Sequence, residues 1–299
     1  MALRLEHRVE GEWDLRGSLA PLIHGRQDPT GASDDGFWRT SRTPEGPGTI
    51  RFEQDSDRLL AEAWGPGADW LLSRAPDLAG ANDRLEGFDP ALHPKIRDLA
   101  RRFPGLRIPR GWPVTELLVP IVLFQLVTWY EGVRAWSGAC RRWGEPAPGP
   151  RELLLPPDPA LLAETPYYAW IPLGALRKQA EAIQRVCRRR RRMEEAAEMS
   201  TEDASRRLQA IRGIGPWTAH SAMVRGMGHA DAVVTGDIHL PHTVGWVLER
   251  EERGSDERML ELLEPWRGHR GRVVRLIMQS GWKHPRRGPK LAPRDLPRG

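Results

Sequence analysis

Cysteine is almost absent: two residues in 299, Cys140 and Cys187. That is too few for a disulfide framework, a four-thiolate zinc site or an iron–sulfur cluster on four cysteines, and both read as small buried apolar residues. Long apolar runs are missing too. The longest, 117–126, is interrupted by Pro120 and Gln125 and falls far short of the ~20 residues a membrane-spanning helix needs. The first residues, MALRLEHRVEGEW, alternate charge with apolar side chains and lack the apolar stretch of a secretory signal. These absences lead us to expect a soluble, cytoplasmic chain with no membrane partner. Lysine is scarce as well, since 41 of the 45 basic residues are arginine.

What is present is a globular balance, 39% apolar and 28% charged, on a chain long enough for two or three domains. The net charge is only +5. Arginine enrichment can follow from genome composition alone, but its fork also suits phosphate, so a polyanion partner stays open. Residues 188–192 are five consecutive arginines, and 283–299 hold six bases against one acid. Because Glu194, Glu195 and Glu198 follow the first run, it reads as a solvated helix face more than as a nucleic-acid contact. The basic tail could contact phosphates or simply pack.

Turn signals and alternation predict strands at 3–9, 37–41, 49–53 and 59–64, with a loop at 25–36 and a helix at 68–75. Residues 1–90 therefore read as a small α+β domain with an antiparallel sheet. From 91 to 282 the periodicity becomes helical. Helices are expected at 95–102, 115–143 (kinked or restarted at Pro120), 174–199, 201–211 with Thr201 as N-cap, 249–265 and 270–279. A proline-rich connector covers 146–159. The fold class is α+β: a small sheet domain followed by a mostly helical body, with 283–299 as a tail.

The segment that carries function is LQAIRGIGPWTA, 208–219. One helix ends in Gly213-Ile214-Gly215 and another starts at once, with Pro216 suited to its first position. Glycines allow close approach to the backbone, and the unpaired amides of a helix N-terminus form an anion site. The segment, within 204–226, resembles a helix–hairpin–helix, whose usual ligand is a nucleic-acid phosphate; a tight turn in a helical bundle is the plainer reading. Downstream stands VVTGDIHLPH, a 231–242 loop with Asp237 nineteen residues past Thr218.

Together the hairpin and this aspartate resemble the helix–hairpin–helix/Gly-Pro-Asp superfamily of DNA glycosylases, and within it the DNA-3-methyladenine glycosylase II family. FPGLRIP at 103–109, LFQLV at 123–127 and PWRG at 265–268 agree with it. The resemblance implies a glycosylase acting on damaged bases in double-stranded DNA, as a monomer, with no organic cofactor. It implies Asp237 as the catalytic carboxylate, which could equally be a helix N-cap. Trp217 and Trp266 would line the base pocket, or else pack in a core. Gln125 and Leu126 would sit at the minor-groove wedge, although Leu126 alone is one apolar residue in an apolar helix. Backbone amides of Gly213, Gly215 and Thr218 would contact phosphate. The carbonyls of Gln209, Ile211 and Ile214 would hold a monovalent cation.

Bifunctional members carry a lysine at the position of Trp217, and an indole is no nucleophile, so the resemblance implies hydrolysis without strand nicking. Two positions depart from the pattern: where members place pocket tyrosines this chain has Ser221 and Ile238, which leaves the substrate range open. Three readings stand. They are a glycosylase for alkylated purines, a glycosylase for another damaged base such as a deaminated purine, and a non-catalytic damage binder. A metal triad at Asp237, His239 and His242 is a weaker rival, and His220, His229 and His269 have no evident partner.

Overall fold

The computed structural model describes residues 2–25, 28–282 and 284. Five antiparallel strands open the chain: β1 Leu3–Arg8, β2 Thr30–Ser33, β3 Gly36–Thr43, β4 Gly46–Asp55 and β5 Arg58–Trp64, in the sheet order β1-β5-β4-β3-β2. Alternation sets the two faces. Phe37, Phe52 and Ala61 are in register across β3, β4 and β5 and are buried. On the other face Glu62 takes Arg4 at 2.7 Å and Arg51 at 3.0 Å from the neighbouring strands. Strand β2 lies inside the segment expected to be a loop. Its TGAS sequence has no alternation, and it is a strand only because it pairs with β3, Thr30 opposite Arg39.

The helices are α1 Leu15–Leu19, α2 Ala68–Ser73, α3 Ala75–Leu78, α4 Pro94–Arg102, α5 Val114–Leu123, α6 Trp129–Trp143, α7 Pro159–Glu164, α8 Arg177–Arg188, α9 Arg190–Glu194, α10 Thr201–Gln209, α11 Pro216–Gly226, α12 Leu240–Glu249, α13 Asp256–Leu263 and α14 Arg270–Gln279. Several boundaries correct the sequence reading. The expected 115–143 helix divides at 124–128 and not at Pro120, which stays inside α5. Thr128 restarts it with a reciprocal cap, its amide donating to Glu131 at 2.8 Å while its hydroxyl accepts the Glu131 amide. Ser200, not Thr201, caps α10. The 174–199 helix breaks at Arg189, where five like charges in a row disfavour continuation. The 249–265 helix begins only at Asp256, after α12 has ended on Arg250 at φ 60°. No helix among the described residues is long and apolar enough to cross a membrane.

Packing divides the molecule differently from the 90/91 boundary. The larger core joins the sheet to α5, α6, α8, α10 and α11. The smaller core gathers Ile96 and Leu99 of α4 with residues of α12, α13 and α14. The sheet is fastened to α5 by buried Glu116, which accepts the Arg42 amide at 2.7 Å and the Ser41 hydroxyl at 2.9 Å. Burial pushes this carboxyl up, with Arg39 opposing the shift. The two cores are joined by Arg272 of α14, whose guanidinium grips Asp83 through bonds of 2.6 and 2.9 Å, both side chains being buried. Gly271 lies so close that a Cβ there would be 2.3 Å from the Ala232 carbonyl.

Removing one partner of a buried ion pair strands the other charge. Asp83→Ala should therefore lower stability by about 3–5 kcal/mol in urea denaturation, while Asp83→Ala with Arg272→Met should lose much less than the two single losses summed. Additive losses would show that the pair does not act as a unit.

Candidate active site

Helix α10 ends, the chain turns through Ala210 to Gly215, and α11 begins. The turn depends on Gly213 for two reasons: its φ is 99°, and a Cβ there would be 2.7 Å from the Ala182 Cβ of α8. Gly215 is different. Its φ is −95°, and a Cβ would meet nothing, so the fold has no need of glycine there. No side chain caps α11, so its first amides have no side-chain acceptor from the cap position. Ile211 and Ile214 are buried against the core, while Arg212 and Gly213 between them are exposed.

The segment after α5 is tied to this turn. The Gln125 side-chain amide donates to the Gly213 carbonyl at 2.9 Å and to the Thr218 hydroxyl at 2.6 Å. Its backbone carbonyl accepts from the buried Gln179 side chain at 2.7 Å. The expected DNA contact by Gln125 is thus recast: its amide is engaged within the protein and positions the loop. The Thr218 hydroxyl is likewise occupied, and the whole residue is buried. Leu126 stands beside Gln125 at φ 57° and is 74% exposed. A leucine in left-handed backbone and in water costs free energy twice over, so the plain reading of Leu126 as a core residue does not hold.

Asp237 faces the hairpin from the other core. Its Oδ1 accepts the His239 and Leu240 amides at 2.7 and 2.9 Å, which caps the start of α12. Its Oδ2 accepts the Trp217 indole N–H at 2.9 Å. The capping reading and the site reading are therefore compatible: the cap fixes the carboxylate and the tryptophan orients its other oxygen. Trp217 packs on the larger core, whereas α12 belongs to the smaller one, so this hydrogen bond crosses the seam.

Ser221 and Arg225 follow Trp217 at four-residue steps along α11 and so share its face. Ser221 is buried and Arg225 partly exposed. Arg225 donates to His24 Nε2 at 3.2 Å; His24 Nδ1 lies 3.3 Å from Asp28. Burial pushes the His24 pKa down, with Asp28 opposing it, so the neutral imidazole gives its Nδ1 proton to Asp28 and accepts at Nε2. Phe124 packs on His24 in a tilted arrangement, with centroids 5.5 Å apart. Sequence reading missed His24, Asp28 and Arg225. The cue within reach was arginine in the apolar context of α11.

Two expected pocket residues lie elsewhere. Trp266 is 4% exposed, sits in the smaller core and donates to the Asp89 carbonyl at 2.8 Å; it packs in a core and does not line an opening. Ile238 is 72% exposed, because the cap turns the residue after Asp237 into solvent. The arginines 188–192 are exposed, but Glu194 does not offset them. It accepts the Val114 and Thr115 amides at 2.7 and 2.9 Å, at the end of α5 opposite the Leu126 loop. The tail 283–299, apart from His284, is outside the described residues.

His220 bonds Ser205, His229 bonds Thr201 and His269 bonds the Glu86 carbonyl, so each has a structural partner. His242 Nδ1 accepts the Gly254 amide at 2.9 Å. Among the described residues no three His, Cys, Asp or Glu side chains converge as metal ligands. Both cysteines are buried, and burial pushes their thiols up.

No family model matches the chain. DNA-3-methyladenine glycosylase 2 of Escherichia coli is 26% identical over 205 residues, 66% of this chain and 70% of that protein. DNA-3-methyladenine glycosylase of Bacillus subtilis is 31% identical over 74 residues; that match spans 25% of this chain and only 24% of the relative's length. Among solved structures, the 3-methyladenine DNA glycosylase of Archaeoglobus fulgidus superposes with a TM-score of 0.80 at 16% identity, covering 93% of this chain and 98% of that one. The 8-oxoguanine glycosylase/lyase of Clostridium acetobutylicum, in complex with double-stranded DNA, gives 0.72 at 11% identity over 93% and 97%. At such identities the superpositions establish a shared fold. In sequence the chain is similar to DNA-3-methyladenine glycosylases, and it shares their fold.

Proposed function

We propose that this chain is a monofunctional DNA glycosylase that flips alkylated purines of the 3-methyladenine and 7-methylguanine type out of duplex DNA. It hydrolyses the N-glycosidic bond and leaves an abasic site. The observation that carries the reading is the Trp217–Asp237 hydrogen bond, which holds a carboxylate beside a helix N-terminus free of side-chain caps.

Breaking the bond between the sugar C1′ and the base leaves oxocarbenium-like charge on the sugar. Asp237 stabilises that charge and takes a proton from the attacking water. An alkylated purine is already cationic and leaves easily, so one carboxylate suffices. The first amides of α11 and those of the hairpin would grip a phosphate. Leu126, exposed on a short and internally bonded loop, would fill the stack that the flipped base vacates. Trp217 offers its indole face to an electron-poor base. An indole cannot form a Schiff base, which supports release of the base without strand nicking. The carbonyls of Gln209, Ile211 and Ile214 are neutral oxygens, and Ile211 accepts only the Ile214 amide among the turn's backbone bonds. That donor set fits a monovalent cation, which would add positive charge beside the phosphate.

Asp237→Asn should bind duplex DNA normally and release bases from methylated duplex at least 100-fold more slowly, with the freed bases identified by mass. Full base release by this variant would refute the catalytic assignment. The two glycines should separate as well. Gly213→Ala should unfold at lower urea because of its backbone and the Ala182 contact. Gly215→Ala should keep its stability yet bind duplex DNA more weakly, in a salt-dependent manner whatever the sequence. Unchanged affinity in Gly215→Ala would remove the hairpin from the interface.

A further inference from the structure

Residues 233–238, which lead into α12, form neither helix nor strand. Among the described residues none of their amides donates to a backbone carbonyl. The one amide of this stretch with an acceptor is that of Gly236, which donates to Asp256 Oδ2 at 2.8 Å. Gly236 is exposed and stands at φ 77°. It has no side chain to anchor it, and its backbone is free on both sides of φ zero. A Cβ at this glycine would come 4.0 Å from the Trp217 Cβ, so it lies against the tryptophan that bonds the Asp237 carboxylate. Asp256 is the first residue of α13, yet it does not cap that helix: Ser255 accepts the Arg258 amide instead. Its Oδ1 is buried without a partner among the described residues, and a buried acceptor left unpaired costs free energy. The side chain thus does nothing for its own helix and reaches back twenty residues to one glycine amide.

We propose, on the basis of the glycosylase reading above, that Asp256 is a positioning residue for Asp237. The Asp237 carboxylate is directed by what its oxygens accept, the His239 and Leu240 amides on one and the Trp217 indole on the other. Those bonds leave unheld the peptide that enters Asp237 from its N-terminal side. Asp256 closes that side by fastening the Gly236 amide to α13. Three helices then fix one carboxylate: α11 through Trp217, α12 through its first amide and α13 through Asp256. Without the last tie Gly236 can turn into other backbone regions and carry the Asp237 Cα with it, which pulls against the Trp217 bond across the seam. The reaction is sensitive to such a shift, since a misplacement of about 1 Å can cost ~100-fold in rate. Duplex binding, which the reading above gives to the hairpin and Leu126, is not. The role requires an acceptor at residue 256 and not a charge.

The test measures single-turnover release of 3-methyladenine from methylated duplex at saturating enzyme, where the rate constant does not depend on the folded fraction. Affinity for the same duplex is measured alongside, for the wild type, Asp256→Ala and Asp256→Asn. Asp256→Ala should release the base roughly 10- to 100-fold more slowly at unchanged affinity. Asp256→Asn, whose side-chain oxygen still accepts the Gly236 amide, should recover most of the rate. Hydrogen exchange gives a readout apart from catalysis: the Gly236 amide should be protected in the wild type and in Asp256→Asn, and exchange faster in Asp256→Ala. A wild-type rate in Asp256→Ala would overturn the proposal and leave the glycosylase reading intact. So would an Asp256→Asn as slow as Asp256→Ala, which would make the charge the active feature. If Asp256→Ala does not fold, Asp256→Asn decides: a rate near wild type with Gly236 protected supports the proposal, and a tenfold fall overturns it. A wild type that releases no base overturns the glycosylase reading and the proposal with it.

Discussion

The Asp83–Arg272 ion pair is the constraint on which the rest of the geometry depends. The carboxylate also accepts the Ile108 amide at 2.9 Å, and Arg107 next to it bonds the Glu10, Glu12 and Asp83 carbonyls. One buried cluster thus pins the chain's first residues, the segment between the cores and α14 to each other. A buried pair of this sort adds little net stability over an apolar substitute, because both ions lose their hydration. Its directional bonds instead fix orientation. That orientation lets Trp217, which packs on one core, reach Asp237, whose other oxygen holds the start of a helix of the other.

Charge is also what joins the sheet to the site. The strands lie away from the hairpin in sequence, yet the segment after α1 supplies His24 and Asp28, which meet α11 across 201 residues. Asp28 accepts the Trp136 indole N–H at 2.7 Å and the Thr30 amide at 2.7 Å as well. With these bonds and the neighbouring imidazole, a buried carboxylate is satisfied without a full counter-ion. The sheet therefore serves as a frame. Through Glu116 it sets where α5 lies, and through Asp28 it sets where the far end of the α11 face points.

The parts of this arrangement legible in the sequence are those set by neighbours in the chain. Helix α14 matches its expected range, 270–279, because its periodicity and the glycine that follows it are local. The hairpin was legible for the same reason: Gly213 answers to a backbone angle and Pro216 to a helix start. What escaped was decided at a distance. Strand β2 exists only through its pairing with β3. Leu126 looks apolar and continuous with α5, and only the Gln125 bonds to Gly213 and Thr218 explain why the helix stops before it. Trp266 carries a family-like motif, yet the Asp89 carbonyl and the smaller core claim its side chain. Arg225 is unremarkable until His24 is brought to it.

Gln125 shows how these long-range bonds bear on function. One side-chain amide holds both the hairpin carbonyl of Gly213 and the hydroxyl of Thr218, and the next residue is the exposed leucine. The turn proposed to grip phosphate and the proposed wedge are thus fixed relative to each other by two hydrogen bonds and an adjacent peptide. A wedge on a free loop would lose conformational entropy each time it entered the stack. Here the left-handed backbone of Leu126 is already set before any duplex arrives. Its strain, on the order of 1 kcal/mol, is held in the free protein, and binding does not have to supply that ordering. The same logic holds for Asp237, whose bonds to the His239 and Leu240 amides align the carboxylate in advance, so in the proposed reaction little reorganisation would remain when charge develops on the sugar.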